Sequence, residues 1–189
     1  RGGKEEKKDA PVVIDEMAYR TDGKGYIHHT YPQIYVLEWQ DPNHTCLPHT
    51  QGKERIGSVV WNQDGSSIYY SVTCYSESTV SNRTEVRNLL LASGLNHKVL
   101  EFDGNVSQMV LADQGKTLLW LGSDNSYPSG VSPSRLWSAP LTQSLPLAAE
   151  AINCLTPLDD AMRSNLRYCT KSNQVYNLRA WKGSNTINV

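Results

Sequence analysis

The sequence lacks several features that mark common classes of protein. Its apolar runs fall well short of the roughly 20 residues that a membrane-spanning helix needs, and phenylalanine occurs once in 189 residues. The 18 basic and 19 acidic residues leave a net charge of -1, so no excess positive charge is available to attract nucleic acid or an anionic membrane. We therefore expect neither nucleic acid nor a membrane as a partner.

Cysteine is scarce and widely spaced. The 4 cysteines, Cys46, Cys74, Cys154 and Cys169, form no C-x-x-C pair, so the common sequence signature of a zinc site or a redox dithiol is missing. In a chain of this length, such cysteines are more often buried small apolar residues than a disulfide framework. We expect buried thiols and no metal or other cofactor. The compartment stays open, with the cytoplasm favoured.

The start of the chain carries no targeting information. The first residue is Arg1 rather than methionine, and no apolar signal-peptide core follows it. We expect the native start to lie upstream of Arg1. Residues 1–10 are polar and charged, which predicts a charged linker or loop.

What the sequence does contain is a repeat. A large apolar residue, a tight turn and a second apolar residue recur at intervals of roughly 40 to 60 positions, a spacing typical of β-propeller blades. The turns are Tyr19–Gly23, Trp61–Gly65, Leu111–Gly115 and Tyr168–Ser172, and the apolar residues three positions beyond them are Tyr26, Ile68, Leu118 and Val175. Asp-Gly suits such turns because glycine adopts positive φ without steric cost.

The second and third repeats each predict a complete antiparallel sheet. The second predicts strands at Ile56–Trp61, Ser67–Cys74, Thr84–Ala92 and His97–Phe102, with a loop at 75–83. The third predicts strands at Val106–Ala112, Lys116–Gly122, Arg135–Leu141 and Glu150–Leu155. The leucines of Thr84–Ala92 also fit a helix, but its place between strand pairs and the Ser-Gly turn after it favour a strand.

The first and last repeats are shorter. The first predicts strands at Ile14–Arg20, Tyr26–His28, Gln33–Trp39 and Thr45–His49, and the last at Ser164–Tyr168 and Gln174–Ala180. The fold class is therefore all-β, a partial β-propeller of about three and a half four-stranded antiparallel blades. The predicted domain covers residues 11–189, with repeats near 12–50, 56–102, 106–156 and 163–181.

The predicted number of blades is too small for a closed propeller. Closed propellers have at least about four blades, and an open ring exposes strand edges and blade faces. We therefore expect the remaining blades of the propeller to lie elsewhere in a longer parent chain.

Several segments resemble the propeller of prolyl oligopeptidase-type serine peptidases, especially the acylaminoacyl-peptidase and dipeptidyl-peptidase branches. Tyr19–Tyr26, followed by Gln33–Val36, carries the more specific resemblance. Other elements resemble recurring blade motifs of that family: Val60–Gly65 its W-S-P-D-G turn, Leu47–Gly52 and Leu155–Pro157 its L-T-x-G closing segment, and Arg135–Trp137 its L-W third strand. The resemblance covers roughly residues 12 to 180. It weakens where Gln114 and Ser172 replace the usual Asp and Gly.

The resemblance implies a function without a catalytic site in this chain. In that family the propeller caps an α/β-hydrolase domain that follows it and limits access to short or unstructured peptides. The expected partners are therefore further blades, a C-terminal α/β-hydrolase domain of the parent, and a peptide substrate. The nucleophile motif G-x-S-x-G is absent from the sequence. The parent is expected to be a serine peptidase, and this chain its non-catalytic part.

An alternative is a propeller of the TolB type, which binds or scaffolds proteins and has no enzymatic activity. The W-x-x-D-G and L-T-x-G elements occur there too, so they do not separate the two functions. A propeller enzyme with a metal in its channel is the least favoured third reading.

Candidate chemical groups are few. Asp41, His44, Cys46 and His49 could form a metal cluster, but side chains that alternate along a strand point to opposite faces. The same objection applies to His28 and His29, and the pair Asp159 and Asp160 fits a solvated loop. The tryptophans and tyrosines are interpreted as packing residues, with a substrate-contacting ring around a central channel as the alternative. No catalytic, cofactor-binding or metal-binding residue is predicted.

Overall fold

A computed structural model describes residues 20–21, 25–26, 31–40, 46–76, 79–126, 132–142, 145–157 and 162–189. The chain divides into two units, Arg1–Thr30 and Tyr31–Val189. In the first unit, β1 (Arg20–Thr21) pairs with β2 (Gly25–Tyr26) in an antiparallel fashion. The predicted linker at 1–10 and the strand at Ile14–Arg20, apart from its last residue, lie outside the described residues.

The second unit is built from antiparallel sheets. A two-stranded sheet pairs β3 (Tyr35–Leu37) with β4 (Cys46–Pro48). The second blade has the order β5 (Arg55–Trp61), β6 (Ser67–Ser76), β7 (Thr79–Leu90) and β8 (Asn96–Phe102). The third blade has the order β9 (Gln108–Ala112), β10 (Thr117–Gly122), β11 (Arg135–Pro140) and β12 (Asn153–Cys154). The fourth blade has the order β13 (Met162–Cys169), β14 (Gln174–Trp181) and β15 (Ser184–Asn188).

The predicted fold class is confirmed. The described residues contain strands and two short 3₁₀ turns but no α-helix, so none of them forms a helix able to span a membrane. The predicted turns also form: Gly65 adopts a φ of 71°, and its N–H donates to the carbonyl of Asn62 at 3.0 Å. The equivalent turn of the third blade has a φ of 55° at Gln114.

Three local predictions were wrong. The loop predicted at 75–83 is largely strand, because the β6–β7 ladder continues to the pair Ser76 and Thr79. The segment is mostly polar in sequence, so it lacks the apolar alternation that predicts a strand. The fourth strand of the third blade is only Asn153–Cys154, and a 3₁₀ turn occupies Ala149–Ala151. The last repeat has a third strand that the sequence reading missed, β15.

The middle strands of the second and third blades pack on both of their faces. Residues of a strand alternate between the two sides of a sheet. On β6, Ile68 and Tyr70 pack toward Ile34, whereas Tyr69 joins the cluster shared with the third blade. On β10, Leu118 and Trp120 pack toward the second blade, and Leu119 and Leu121 pack toward the fourth. The apolar core therefore lies between successive blades.

Each blade has two faces. The forward face of a blade is the side that packs on the next blade in chain order, and the backward face is the opposite side. Strands β5, β9 and β13 contact one another in succession, so they form the inner strands of the propeller. Hydrogen bonds from backbone N–H groups to side chains join these inner strands. The Met109 N–H donates to Ser58 Oγ at 3.0 Å, and the Leu166 N–H donates to Gln108 Oε1 at 2.9 Å.

The closing segments identified in the sequence take equivalent positions. The Ile34 N–H donates to Thr50 Oγ1 at 2.9 Å, and the Leu136 N–H donates to Thr156 Oγ1 at 3.0 Å. The residue before each threonine donates its N–H to the same third-strand residue, at 2.8 Å in both cases. Strands β3 and β4 therefore correspond to β11 and β12, residue by residue.

The expected burial of the cysteines was wrong. All four are free; Cys46 and Cys154 are exposed, and Cys74 and Cys169 are half-buried. The reason is their location. Cys46 and Cys154 lie on the last strands of their sheets, β4 and β12, where fewer neighbours cover them.

Candidate functional site: a groove between the second and third blades

A groove of about 780 Å³ opens between the outer strands of the second and third blades. Its apolar lining includes Phe102 of β8, Trp137 of β11, Leu147 and Ile152. Its polar rim comprises Arg83, Lys98, Glu101, Asp103, Asp124 and Asn125. The groove is therefore a cleft with an aromatic floor and charged walls, a combination suited to holding an amphipathic ligand.

Trp137 is fixed in the floor by three different contacts. Its indole N–H donates to the carbonyl of Gly122 at 3.0 Å. Its ring meets Phe102 edge-on at 4.9 Å between centroids, and the guanidinium of Arg135 lies 4.6 Å from its ring centre. Each contact restrains the ring, because aromatic pairs and cation–π contacts depend on orientation.

Asp124 organises one wall of the groove. Its carboxylate pairs with Arg135 and accepts hydrogen bonds from Ser126 Oγ at 2.7 Å and Ser132 Oγ at 3.1 Å. Partial burial opposes ionisation of Asp124, but these hydrogen bonds and the charge of Arg135 outweigh it and lower the pKa of the carboxyl group. Asp124 therefore stays charged and held in place at neutral pH.

The opposite wall belongs to the second blade. Arg83 lies 3.5 Å from Glu101, and the ammonium of Lys98 bridges Glu101 at 2.6 Å and Glu85 at 3.0 Å. Glu85 and its partner Arg87, 2.8 Å away, are not among the residues that line the groove. They flank Val86, which packs toward the third blade, so they lie on the opposite side of β7. The wall carries charges of both signs, which suits a polar, uncharged or zwitterionic chain better than a strongly charged ligand.

Outside the groove, the ion pairs of Arg87 and Glu85 show how partial burial and pairing have opposite effects on the pKa. Arg87 also pairs with Glu54. Partial burial disfavours the charge of Arg87, yet the hydrogen bonds and charges of Glu85 and Glu54 exceed this effect and raise its pKa. For Glu85, burial is likewise outweighed by Arg87 and Lys98, so the pKa of its carboxyl group is lowered. These groups form a charge network that joins the outer strands β7 and β8 to Glu54, next to the inner strand β5.

Of the candidate metal-binding and acid–base residues, the structure describes only Cys46 and His49. Cys46 is exposed on β4 and His49 is half-buried beyond it, whereas Asp41 and His44 lie outside the described residues. His28, His29, Asp159 and Asp160 also lie outside them. Within the described ranges, no group of three His, Cys, Asp or Glu side chains is placed to hold a metal. The site predictions therefore stay predictions.

The aromatic residues divide into two groups. Tyr69, Tyr70, Trp120 and Trp137 are buried between blades, as their interpretation as packing residues requires. Tyr35, Trp39 and Trp61 are instead 55%, 84% and 48% exposed, so the interpretation was wrong for these three. Trp61 lies on β5, an inner strand.

Sequence reasoning did not find the groove. Its walls combine Arg83 with Asp124 and Leu147, residues that approach only when the two blades pack. The one available signal was Arg135–Trp137, which was recognised as a third strand and not as part of a cleft.

Comparison with known proteins supports the fold and goes no further. No family model and no curated protein matches the chain. TolB from Acinetobacter baumannii aligns with 78% of this chain at 18% identity and a TM-score of 0.54. An oligogalacturonate lyase in complex with manganese aligns with 76% at 12% identity and a TM-score of 0.52, and the tricorn protease with 82% at 9% identity and a TM-score of 0.50.

These solved structures are β-propeller proteins, and their likeness to this chain identifies it as a β-propeller. The identities are too low to transfer an activity. The chain spans only 32%, 37% and 20% of the lengths of those three proteins.

Proposed function

We propose that this chain is a non-catalytic portion of the β-propeller of a prolyl oligopeptidase-type serine peptidase. There it restricts access of substrates to a separate α/β-hydrolase domain, so that the parent protein hydrolyses short peptides. The proposal adds a family assignment to the propeller fold, and it takes its enzymatic part from the sequence resemblance.

The peptidase part of the proposal rests on the resemblance of Tyr19–Tyr26, and its propeller part rests on the matching role of the two closing segments. Thr50 and Thr156, in segments that resemble the family's L-T-x-G element, each accept a backbone N–H at the start of a third strand, from Ile34 and Leu136. A motif that recurs in sequence and performs the same structural task in two blades supports a shared blade design. The inter-blade groove then offers a surface for a peptide end.

The test is made on the parent protein. Its reading frame beyond Val189 should encode further blades and a G-x-S-x-G element, and a fluorophosphonate probe should label the full-length protein but not residues 1–189 alone. Deleting the propeller should allow the hydrolase domain to cleave longer or folded substrates that the intact protein spares. A downstream sequence without blades and nucleophile, or a parent that the probe never labels, would refute the peptidase assignment.

A second candidate function is a binding propeller without an attached enzyme. The groove favours it, because an aromatic floor bordered by charges of both signs can bind a peptide without any catalytic group. The substitution Lys98→Glu would reverse one wall charge and weaken peptide binding to the isolated chain, whereas Lys182→Glu, at an exposed turn, would not. Labelling of the parent by a serine-hydrolase probe would rule this function out.

A further inference from the structure

The backward face of the fourth blade departs from the design of the other blades. The middle strands align at the residues that pair with the first residue of each turn, which are Ile68, Leu118 and Val175. Two residues further along, on the same face, the second and third blades have the fully buried aromatic residues Tyr70 and Trp120. The fourth blade has Asn177 there, and it is 3% exposed. A smaller, polar side chain therefore occupies a position that is aromatic in the other two blades.

Two arginines lie beside Asn177 on this face. Arg179 is two residues further along β14, and its cross-strand partner is Arg163 on β13, so both side chains share the face of Asn177. Arg163 is only 6% exposed. The residues equivalent to Arg179 are Val72 in the second blade and Gly122 in the third. The contact between the third and fourth blades thus contains two guanidinium groups where the other blades are uncharged.

Positive charge is concentrated in this blade. Residues 162–189 contain five basic residues and no aspartate or glutamate. Like charges directly opposite each other on neighbouring strands are destabilising, and the burial of Arg163 adds to that effect. Arg163 and Arg179 also have other contacts, but a guanidinium has five N–H donors. Each arginine is therefore able to bind an anion in addition to its other contacts.

Two buried polar atoms at the same junction have no hydrogen-bond partner among the described residues. They are Oδ1 of Asn177 and Oγ of Ser134. Ser134 lies against Arg163, whose Nη1 donates to the Ser134 carbonyl at 3.3 Å. Because nearly all buried polar atoms of native proteins are hydrogen-bonded, such an atom points to a bound water, ion or ligand. The two atoms flank the arginines from the third and the fourth blade.

We propose that the junction between the third and fourth blades binds inorganic phosphate. The phosphate oxygens accept hydrogen bonds from Arg163 and Arg179, because the paired N–H donors of a guanidinium match the spacing of oxygen atoms in an oxyanion. Hydrogen phosphate, which carries one P–OH group at neutral pH, donates this hydroxyl to Asn177 Oδ1. The hydroxyl of Ser134 donates to another phosphate oxygen, so both buried atoms gain a partner.

The hydroxyl of the ligand separates phosphate from other oxyanions. Sulfate has the shape and the charge of hydrogen phosphate but has no proton to donate to Asn177. A buried acceptor without a partner lowers affinity, so sulfate should bind more weakly than phosphate. The phosphate site concerns the propeller alone, so its failure would leave the peptidase assignment untouched.

Isothermal titration calorimetry of the 189-residue chain with inorganic phosphate, at neutral pH and constant ionic strength, tests the proposal. The wild-type chain should bind one phosphate. Arg179→Gln should weaken the affinity roughly tenfold or more, because a hydrogen bond between two charged groups is lost. Arg167→Gln is the matched control: Arg167 is exposed, and its cross-strand partner Tyr176 places it on the other face of the blade. This variant should bind phosphate like the wild type.

Asn177→Tyr gives a second test that does not remove a charge. It places the aromatic residue of the second blade at the equivalent position, so the chain should fold and lose phosphate binding. Urea unfolding measures both effects, because bound phosphate should raise the free energy of unfolding of the wild type and not that of Asn177→Tyr. A wild-type chain without saturable phosphate binding overturns the proposal. Unchanged affinity in both Arg179→Gln and Asn177→Tyr, or sulfate bound as tightly as phosphate, would equally overturn it.

Discussion

The hydroxyl of Ser58 accepts a hydrogen bond at 3.0 Å from the backbone N–H of Met109, which lies 51 positions later in the sequence. The Ser58 N–H in turn donates to Ser71 Oγ at 2.8 Å. This chain of hydrogen bonds links the inner strand of the third blade to two strands of the second. Successive blades are therefore joined by polar contacts at the inner strands and by apolar packing further out.

Removing this hydroxyl should loosen the contact between blades. Ser58→Ala leaves the Met109 N–H without its acceptor, so the free energy of unfolding should fall by about 1–3 kcal/mol. Ser164→Ala, at an exposed position of β13, should change it by less than about 0.5 kcal/mol. Urea unfolding followed by tryptophan fluorescence measures both. Equal effects of the two substitutions would show that the Ser58 contact contributes no stability.

Gly122 should tolerate no side chain. A Cβ atom there would lie 2.0 Å from the carbonyl oxygen of Asn105, so Gly122→Ala must displace backbone and should cost at least the 1–3 kcal/mol or so of overpacking. Gly94→Ala is the control, because Gly94 has a φ of 69° but open space around it; strain alone should cost roughly 1–2 kcal/mol. Thermal unfolding compares them. A Gly94 variant less stable than the Gly122 variant would contradict the close approach.

A comparison of the buried residues Trp120 and Trp137 separates the contribution of a hydrogen bond to stability from that of packing. Trp137 donates to Gly122, whereas the indole N–H of the fully buried Trp120 has no hydrogen-bond partner among the described residues. Both Trp→Phe substitutions remove similar volume, but only Trp137→Phe loses a hydrogen bond. It should therefore cost about 1 kcal/mol more than Trp120→Phe, as measured by urea denaturation. The reverse order would show that the indole hydrogen bond of Trp137 is not stabilising.

The contribution of Asp124 to the stability of the folded chain should fall in acid. The pKa of Asp124 is lowered from 3.8 in the folded chain, so the unfolded state binds the proton more readily. Its contribution is complete above pH 4 or so and disappears as the pH falls through the lowered value. The difference in stability between the wild type and Asp124→Asn should be constant from neutral pH to about pH 5 and shrink below about pH 4. A difference that grows in acid would contradict this sign.

The sequence predicts the strands and turns within each blade better than the contacts between blades. The alternating residues of β6 and β10 and the turns at Trp61–Gly65 and Leu111–Gly115 are local signals, and the structure follows them. The sequence did not reveal strand β15. In the structure, Lys182 and Gly183 have φ values of 48° and 78° and form a two-residue hairpin turn before this strand. Its Lys-Gly pair is a weaker signal than Asp-Gly, and the polar strand after it lacks an apolar alternation.

The groove could not be predicted for a different reason. Phe102 and Trp137 meet only because two separate sheets pack face to face, and neither residue has a local pattern that indicates its partner. The same limit applies to Ile187. An isoleucine in a strand is usually buried, and only the structure shows that Ile187 is 71% exposed.

The central claim is that the blades repeat one design. Val86 and Ile187 occupy the same third-strand position, opposite Ser71 and Leu178; Val86 is buried against the next blade, whereas Ile187 is exposed among the described residues. Urea unfolding of Val86→Glu and Ile187→Glu tests this claim most directly. Val86→Glu places an unpaired charge between two packed blades and should cost more than about 3 kcal/mol or prevent folding, whereas Ile187→Glu should change stability by less than about 0.5 kcal/mol. Equal losses for the two variants would contradict the claim.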